Sequence, residues 1–342
     1  MKKILLLLLS MVLVLSVFGG CSKNEEKNSK DSTVESTNNE DSSKDSTVDY
    51  PKKELRIIVP AGAAGNMSVN TRIIGKYLEK ELGKSVAIEN RPGAGGIVGA
   101  TEYLVEEANS DTIIVLPSLV HSVAPLYQKV KYEADDFIPI IGMTNAKSVV
   151  LSNHEKTGIN SFEDLIEYGK KETVKFGSGG PGTSNYMVQA ALYKMAGISA
   201  LTVPHKSAGE GITNLLGGHV DVTLASATLA KEYILDGSLT PLFVLDNEAY
   251  TKYEGVEIPS INKLGYDLTF DSYVYFAARK GTDQKVIDYL YNKFEAVYQN
   301  EEFKKEVQKR SVVIVEDNGQ EVEEHINKAT EAAKKFYDLI EK

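Results

Sequence analysis

The chain has 342 residues, of which 42% are hydrophobic and 25% are charged, and this is enough apolar sequence to bury the core of one or two domains. The formal net charge is −10, and removal of a leader that contains Lys2 and Lys3 gives −12. An acidic chain with scattered lysines lacks the basic surface that nucleic-acid binding requires, so we expect no nucleic-acid partner.

Residues 1–20 resemble a secretory leader. Two lysines precede the apolar run 4–18, which is short for a membrane span, and two glycines follow at a cleavage position. The next residue, Cys21, is the only cysteine, so it has no disulfide partner within the chain. Its position resembles a bacterial lipobox, which implies that Cys21 is lipidated and anchors the mature protein to the cell membrane. A free thiol beside an ordinary cleavage site is the alternative.

Residues 22–49 consist almost entirely of Ser, Thr, Asn, Asp, Glu and Lys. Such a segment has too little apolar surface to fold. The sequence at 30–34 recurs at 44–48, which is a low-complexity duplication and not a structural repeat. We therefore expect 21–49 to be a lipidated cysteine followed by a disordered polar tether, which reaches roughly 30 Å from the membrane.

The folded part begins with a predicted strand, a tight loop and a helix between Leu55 and Arg72. The loop 61–67 has no bulky side chain before Asn66, so a ligand can approach its backbone closely, and Ser68 is predicted to cap the helix. A helix start presents free N–H groups and the positive end of the helix dipole, which favour an anion such as a carboxylate. By itself, the same pattern also fits a turn without any binding role.

A second unit of this kind lies about a hundred residues further along the chain. The short predicted strand 174–176 leads into a glycine-rich loop at 177–184 and then into a helix from about Asn185 to Ala196. Two glycine-rich helix starts can face each other from separate lobes. The pair therefore predicts a two-lobed protein that holds an anion between its lobes.

Between and after these units, predicted strands alternate with predicted helices, which indicates βαβ units and mostly parallel sheets. The other predicted strands are 85–89, 112–116, 201–203, 220–224 and 241–245. The other predicted helices are 97–107, 161–171, 208–216, one that ends near Leu235, 283–298 and 321–340. Two extended apolar runs with no helix between them are predicted to cross into a second lobe, and a third is predicted to return: 137–142, 147–151 and 272–278.

Several short motifs, taken in order, resemble one known family. The most specific is the run Glu-Asn-Arg-Pro-Gly-Ala-Gly-Gly at 89–96. The others are at 50–51, 56–60, 125–127, 136–140, 176–180, 203–206 and 215–221. Over 50–342 the chain is similar to the substrate-binding receptors of tripartite tricarboxylate transporters, also called the TctC or Bug family.

The resemblance implies an α/β type II periplasmic-binding-protein fold, in which two α/β lobes joined by two crossing strands enclose a central ligand cleft. Lobe I would comprise 50–143 and 275–342, and lobe II would comprise 144–274. The implied function is that of an extracytoplasmic solute-binding receptor, which captures a small carboxylate and delivers it to integral-membrane permease subunits. The resemblance also implies a monomer with no enzymatic activity and no cofactor.

Family receptors hold a ligand carboxylate between the loop after the first strand and the equivalent loop of the second lobe. The ligand-binding residues predicted on this basis are Ala64, Gly65, Asn66, Ser68, Ser118, Ser178, Gly180 and Thr183. The chain departs from the family pattern at three positions, since many family members have a Gly at position 64, an acidic residue at position 68 and a Tyr at position 205. These departures leave the class of organic anion open.

Three other functions are alternatives. Gly177, Gly179 and Gly182 match the G-x-G-x-x-G fingerprint of dinucleotide-binding enzymes, but no acidic residue ends the next predicted strand to bind a ribose. Ser178 lacks the G-x-S-x-G elbow of a hydrolase because Phe176 stands at the first glycine. A sensor lipoprotein that passes its ligand to a signalling partner is compatible with the same motifs.

Two further sets of residues are predicted to be structural. The histidines are scattered without metal-ligand spacing, so no metal site is predicted at His121, His154, His205 or His219. Arg91 can attract an anion, but it is predicted to pair with an acidic neighbour.

Overall fold

The computed structural model describes residues 48–269 and 272–341. The leader, Cys21 and nearly all of the tether lie outside the described residues. The described part belongs to one compact unit, Thr47–Lys342. Within it, no helix is both long enough and apolar enough to cross a membrane.

The first lobe is built on a five-stranded sheet. Its strands are β1 (Leu55–Val59), β2 (Val86–Asn90), β3 (Thr112–Pro117), β4 (Phe137–Ala146) and β12 (Ser272–Arg279). Their order across the sheet is β2-β1-β3-β12-β4. Strand β1 runs parallel to β2 and β3, whereas β12 runs antiparallel to β3 and β4. The chain therefore returns to this sheet after building the second lobe.

The second lobe repeats this plan. Its strands are β5 (Ser148–Ser152), β6 (Val174–Ser178), β7 (Ala200–Pro204), β8 (Val222–Ser226) and β9 (Thr240–Val244). Their order is β7-β6-β8-β5-β9, and a small hairpin follows as β10 (Tyr250–Tyr253) and β11 (Val256–Ile258). Lys147 alone separates β4 from β5, so the chain passes from one sheet to the other through a single residue.

Helices cover both sheets. Those that follow strands of the first sheet are α1 (Asn66–Leu82), α2 (Ile97–Tyr103), α3 (Leu119–Ser122), α4 (Ala124–Tyr127), α10 (Gln284–Gln299) and α11 (Glu301–Lys309). Those of the second lobe are α5 (His154–Thr157), α6 (Phe162–Lys171), α7 (Ser184–Met195), α8 (Ala208–Leu216) and α9 (Ala227–Leu235). The last helix, α12 (Gly319–Glu341), buries Val322 and Ile326 in the core around β3 and β12, and Ala333 and Phe336 in the core of the second lobe. These two linked α/β lobes confirm the predicted fold class. The expectation of mostly parallel sheets is wrong, because each five-stranded sheet has two parallel and two antiparallel strand pairs.

One local prediction is wrong. Helix α1 begins at Asn66, and its N-cap is Gly65 instead of Ser68. The preceding turn closes early, because the Gly65 N–H donates to the Gly62 carbonyl across 3.0 Å. Ser68 consequently lies inside the first turn of the helix, fully buried, and its hydroxyl accepts a hydrogen bond from the Asn90 amide.

Candidate ligand-binding site

The start of α1 is open to an anion. Its N-cap, Gly65, has no side chain to engage the N–H groups of the first turn, and that turn has no acidic residue. Ala64, Gly65 and Asn66 are all exposed to solvent. The positive end of this helix dipole is therefore not compensated by an acidic side chain of its own first turn.

The start of α7 has the same character. The hydroxyl of its N-cap, Thr183, makes no capping bond and lies 2.7 Å from the Gly180 carbonyl and 2.8 Å from Asn185 Oδ1. Gly180 and Gly182 have φ angles of 84° and 87°, which favour glycine, so the loop can fold back on itself. Its first turn also has no acidic residue. By contrast, α9 is capped by the hydroxyl of Ser226.

The two open helix starts meet at a cavity of about 260 Å³, which we call the small cavity. Asn66 from α1 lines it together with Ser184 and Asn185, the first two residues of α7. Ser148 and Ser226 contribute two more hydroxyls. Among the described residues, no charged side chain lines the small cavity, so an anion there would depend on neutral donors.

A second cavity of about 580 Å³, the large cavity, shares Asn66 and Ser226 with the first. Apolar side chains from both lobes form much of its wall: Met67, Val69, Ala227, Tyr250, Val274 and Val312. The wall also contains an ion pair between Lys147 Nζ and Asp246 Oδ2, which lie 2.6 Å apart. A ligand that begins in the small cavity can therefore extend along a mixed apolar and charged surface.

Of the eight predicted ligand-binding residues, only Asn66 lines either of these cavities in the described part of the chain. Ser178 is fully buried, accepts a hydrogen bond from Gly180 N at 2.9 Å and lies 2.7 Å from the hydroxyl of Thr202. Ser118 is also buried, and its backbone N–H donates to the Tyr273 carbonyl. These serines support the neighbouring backbone from within the fold.

The sequence prediction missed four polar residues of the small cavity: Ser148, Ser184, Asn185 and Ser226. A signal for two of them exists, since Ser184 ends the glycine-rich loop and Asn185 begins the predicted helix; both lie in the first turn of α7. Ser148 begins β5 and Ser226 ends β8, and nothing in their local sequence identifies them as cavity residues.

Asn90, from the most specific motif, holds the loop before α1. Its side-chain amide donates to the Ala61 carbonyl at 2.8 Å and to the Ser68 hydroxyl at 2.7 Å. The Arg72 guanidinium donates to the Ala63 carbonyl at 2.9 Å and to Asn90 Oδ1 at 3.2 Å. The loop is thus fixed at both ends by one connected set of hydrogen bonds.

Arg91 pairs with acidic neighbours, which confirms the sequence prediction. Its guanidinium lies 2.9 Å from Glu89 Oε2, and Arg56 Nε lies 2.7 Å from Glu89 Oε1. Glu106 joins the same network at 3.2 Å from Arg56. Mainly because Arg56 donates hydrogen bonds to it, the pKa of Glu89 falls from 4.5 to about 2. Arg91 is therefore part of an ion network and lines neither cavity.

His205 lies outside both cavities as well. Its ring is buried against Gly177 and Gly211, where a Cβ atom on Gly211 would lie 2.8 Å from Nε2. Burial lowers the pKa of His205, so the ring is neutral near pH 7. Among the described residues, no group of three or more His, Cys, Asp or Glu side chains could hold a metal ion.

Comparison with known proteins places the sequence and the fold in the same group. Residues 71–342 match the family described as tripartite tricarboxylate transporter family receptor. Protein BugT of Bordetella pertussis is 28% identical over 249 residues, which cover 70% of this chain and 74% of BugT. A protein from the gbd 5′ region of Cupriavidus necator is 24% identical and covers 86% of this chain and 88% of its own length.

Solved structures show the same fold. Rpa4515 of R. palustris with adipate has a TM-score of 0.75 at 20% identity and covers 85% of this chain and 98% of its own. MatC of Rhodopseudomonas palustris with bound malate has a TM-score of 0.72 at 18% identity, with coverage of 85% and 100%. The periplasmic binding protein BugD has a TM-score of 0.71 at 23% identity, with coverage of 85% and 98%.

Proposed function

Because the chain belongs to the tripartite tricarboxylate transporter receptor family, we propose that it is an extracytoplasmic receptor that binds a small organic carboxylate between its lobes and delivers it to membrane permease subunits. The observation that carries this proposal is the meeting of two uncapped helix starts, α1 and α7, at one cavity. We further propose that the protein works as a monomer, without catalysis and without a cofactor.

The ligand carboxylate would accept hydrogen bonds from the backbone N–H groups that begin the two helices, including those of Asn66, Ser184 and Asn185. The backbone at Ala64, Gly65, Gly180 and Thr183 would complete the surface around it. Ser68, Ser118 and Ser178 would hold these loops in position. The relatives solved with adipate and malate support a carboxylate as the ligand class.

Delivery would depend on closure of the lobes around the ligand, so that a permease distinguishes the loaded from the empty receptor. The single-residue connection at Lys147 is a natural hinge, because few backbone dihedrals separate the two sheets there. Lipidation at Cys21 and the polar segment 22–49 would keep the receptor at the membrane and leave it free to reorient.

A thermal-shift panel tests the proposal. The protein is unfolded and refolded to remove any bound ligand and then melted with mono-, di- and tricarboxylates, acidic amino acids, aromatic acids and NAD. A dye reports unfolding, because the chain has no Trp. A ligand at a hundred times its Kd adds about 2.7 kcal/mol, which raises Tm by a few degrees.

We expect at least one carboxylate class to raise Tm and NAD to have no effect. A shift with NAD alone would instead support the dinucleotide-binding alternative at Gly177, Gly179 and Gly182. If no carboxylate raises Tm of correctly refolded protein, the proposed ligand class is wrong.

A further inference from the structure

The two cavities differ in charge. The small cavity has only neutral lining residues in the described part of the chain, whereas the wall of the large cavity contains the Lys147–Asp246 ion pair. The side chains of Lys147 and Asp246 are 32% and 21% exposed, so this pair is considerably more buried than a typical surface pair. Its electrostatic effect on a ligand is correspondingly less screened by water.

The pair lies where the two cavities adjoin. Ser148 and Leu245 line the small cavity, and their sequence neighbours Lys147 and Asp246 line the large one. The backbone here is fixed, because Leu245 N donates to the Ser148 carbonyl at 2.9 Å. A ligand whose carboxylate lies in the small cavity and whose other end enters the large cavity would therefore extend into a space whose wall contains the ion pair.

The other charged residues that line the large cavity in the described part of the chain are solvent-exposed. Glu248 is 78% exposed and pairs with Lys263. Lys252 and Arg310 are exposed as well. Water and salt screen such charges strongly, so they discriminate weakly between ligands. Of the cations that line the large cavity in the described residues, Lys147 is the one that is mostly buried, and Asp246 neutralises it.

We propose that the receptor selects a monocarboxylate with an uncharged far end, and that Asp246 is the residue that determines this specificity. This inference rests on the proposed carboxylate-binding function and narrows its ligand class. With Lys147 held by Asp246, a second ligand carboxylate would meet an occupied cation and a repelling carboxylate in a partly desolvated wall. An apolar or neutral polar body instead suits the side chains of Met67, Val69, Val274 and Val312.

The test compares ligands of equal carbon number that differ by one charge. Titration calorimetry would use three pairs: butyrate and succinate, hexanoate and adipate, and benzoate and terephthalate. The refolded protein is compared with Asp246→Asn and with the matched control Glu248→Gln. Both substitutions remove one negative charge from the wall of the large cavity, but only Asp246→Asn removes the carboxylate that lies against Lys147.

For each pair of ligands that binds, we expect the wild-type protein to prefer the monocarboxylate. Asp246→Asn should shift the affinity ratio toward the dicarboxylate by roughly tenfold or more, the size of a charge-assisted interaction, because it removes a repelling carboxylate from beside Lys147. Glu248→Gln should leave the ratio within about twofold, because its charge is solvent-screened. A wild-type preference for dicarboxylates, or an unchanged ratio in Asp246→Asn, would overturn the inference.

A second variant, Lys147→Met, covers the case in which Asp246→Asn does not fold. It removes the ammonium beside the Asp246 carboxylate and keeps the hydrogen bond that the carboxylate accepts from Asn247 N, so dicarboxylate affinity should fall and the preference for monocarboxylates should widen. Improved dicarboxylate binding would contradict the inference. If none of the three pairs binds but another carboxylate raises Tm, this inference fails and the proposed function stands; if no carboxylate binds at all, both fail.

Discussion

The side-chain amide of Asn90 donates a hydrogen bond to the buried hydroxyl of Ser68 across 2.7 Å. This contact joins the end of β2 to the first turn of α1, the helix whose open start faces the small cavity. The most specific sequence motif of the chain therefore acts on the candidate site through a positioning residue, without lining either cavity itself.

Asn90→Ala should weaken both stability and ligand binding. It leaves the Ser68 hydroxyl without its donor and frees the loop at Ala61, so unfolding should become easier by about 1–3 kcal/mol. Urea denaturation measures the first effect and calorimetry with the identified carboxylate measures the second. Asn160→Ala is the control, because its amide donates to the Gly158 carbonyl in an exposed turn of the other lobe. Wild-type affinity in Asn90→Ala would show that the loop does not depend on this contact.

Gly99→Ala should destabilise the protein by about 1–3 kcal/mol through overpacking. An added Cβ would lie 2.7 Å from the Arg91 carbonyl and 2.8 Å from Pro60 Cβ, and the backbone cannot easily yield there. Gly209→Ala is the matched control, since that glycine is also in a helix and an added Cβ would meet nothing closer than 3.9 Å. Gly209→Ala should be neutral or stabilise by up to about 1 kcal/mol. Equal thermal unfolding of the two variants would refute the packing argument.

Acid should weaken the fold through Glu89. The folded-state pKa of Glu89 is lowered from 4.5 to about 2, chiefly by the hydrogen bond from Arg56. The stabilisation of the fold by the ionised Glu89 carboxylate is therefore present above about pH 4.5 and is lost as the pH falls toward 2. Glu89→Gln should be less stable than wild type at pH 7 and should lose less stability over that window. Parallel pH profiles of the free energy of unfolding would contradict the assignment.

Protonation of His121 should reduce the stability of the fold at a higher pH than protonation of Glu89 does. Burial lowers its pKa from 6.5 to about 4, and its Nε2 is bonded to the Tyr275 hydroxyl. The stability that depends on the neutral ring is complete above about pH 6.5 and is lost as the pH falls through 4. His121→Gln keeps a hydrogen-bonding group for Tyr275 but does not titrate, so its unfolding free energy should change less between pH 6.5 and 4. A wild-type slope in the variant would exclude His121 as the cause.

Local chemistry predicted most of the fold, because strands, glycine-rich loops and amphipathic helices follow one another in regular order. Prediction from the sequence is wrong where contacts between distant residues determine the local structure. Helix α11 has only Phe303 and Val307 buried, and two apolar residues in a charged segment of nine are too few to predict a helix. The residue type of Ser68 favours a cap position, yet the turn at Gly65 starts the helix earlier.

The candidate site was predicted only in outline. Both helix starts follow from glycine-rich sequence, but the direction of each hydroxyl depends on strand pleating, which turns Ser178 into the core. The Lys147–Asp246 pair was beyond local prediction. These residues are distant in sequence and meet because β5 pairs with β9.

The most direct test of the central claim is calorimetric titration of the refolded protein with the best carboxylate of the panel and with its uncharged primary amide. Asn185→Asp serves as the variant, since an aspartate retains the acceptor that Gly179 N and the Thr183 hydroxyl use while placing a negative charge at the small cavity. Asn292→Asp, on the exposed face of α10, adds the same charge elsewhere. We predict that wild type and Asn292→Asp bind the carboxylate and not the amide, and that Asn185→Asp loses carboxylate binding. Equal affinity for carboxylate and amide, or undiminished binding by Asn185→Asp, would contradict an anion site at the starts of α1 and α7.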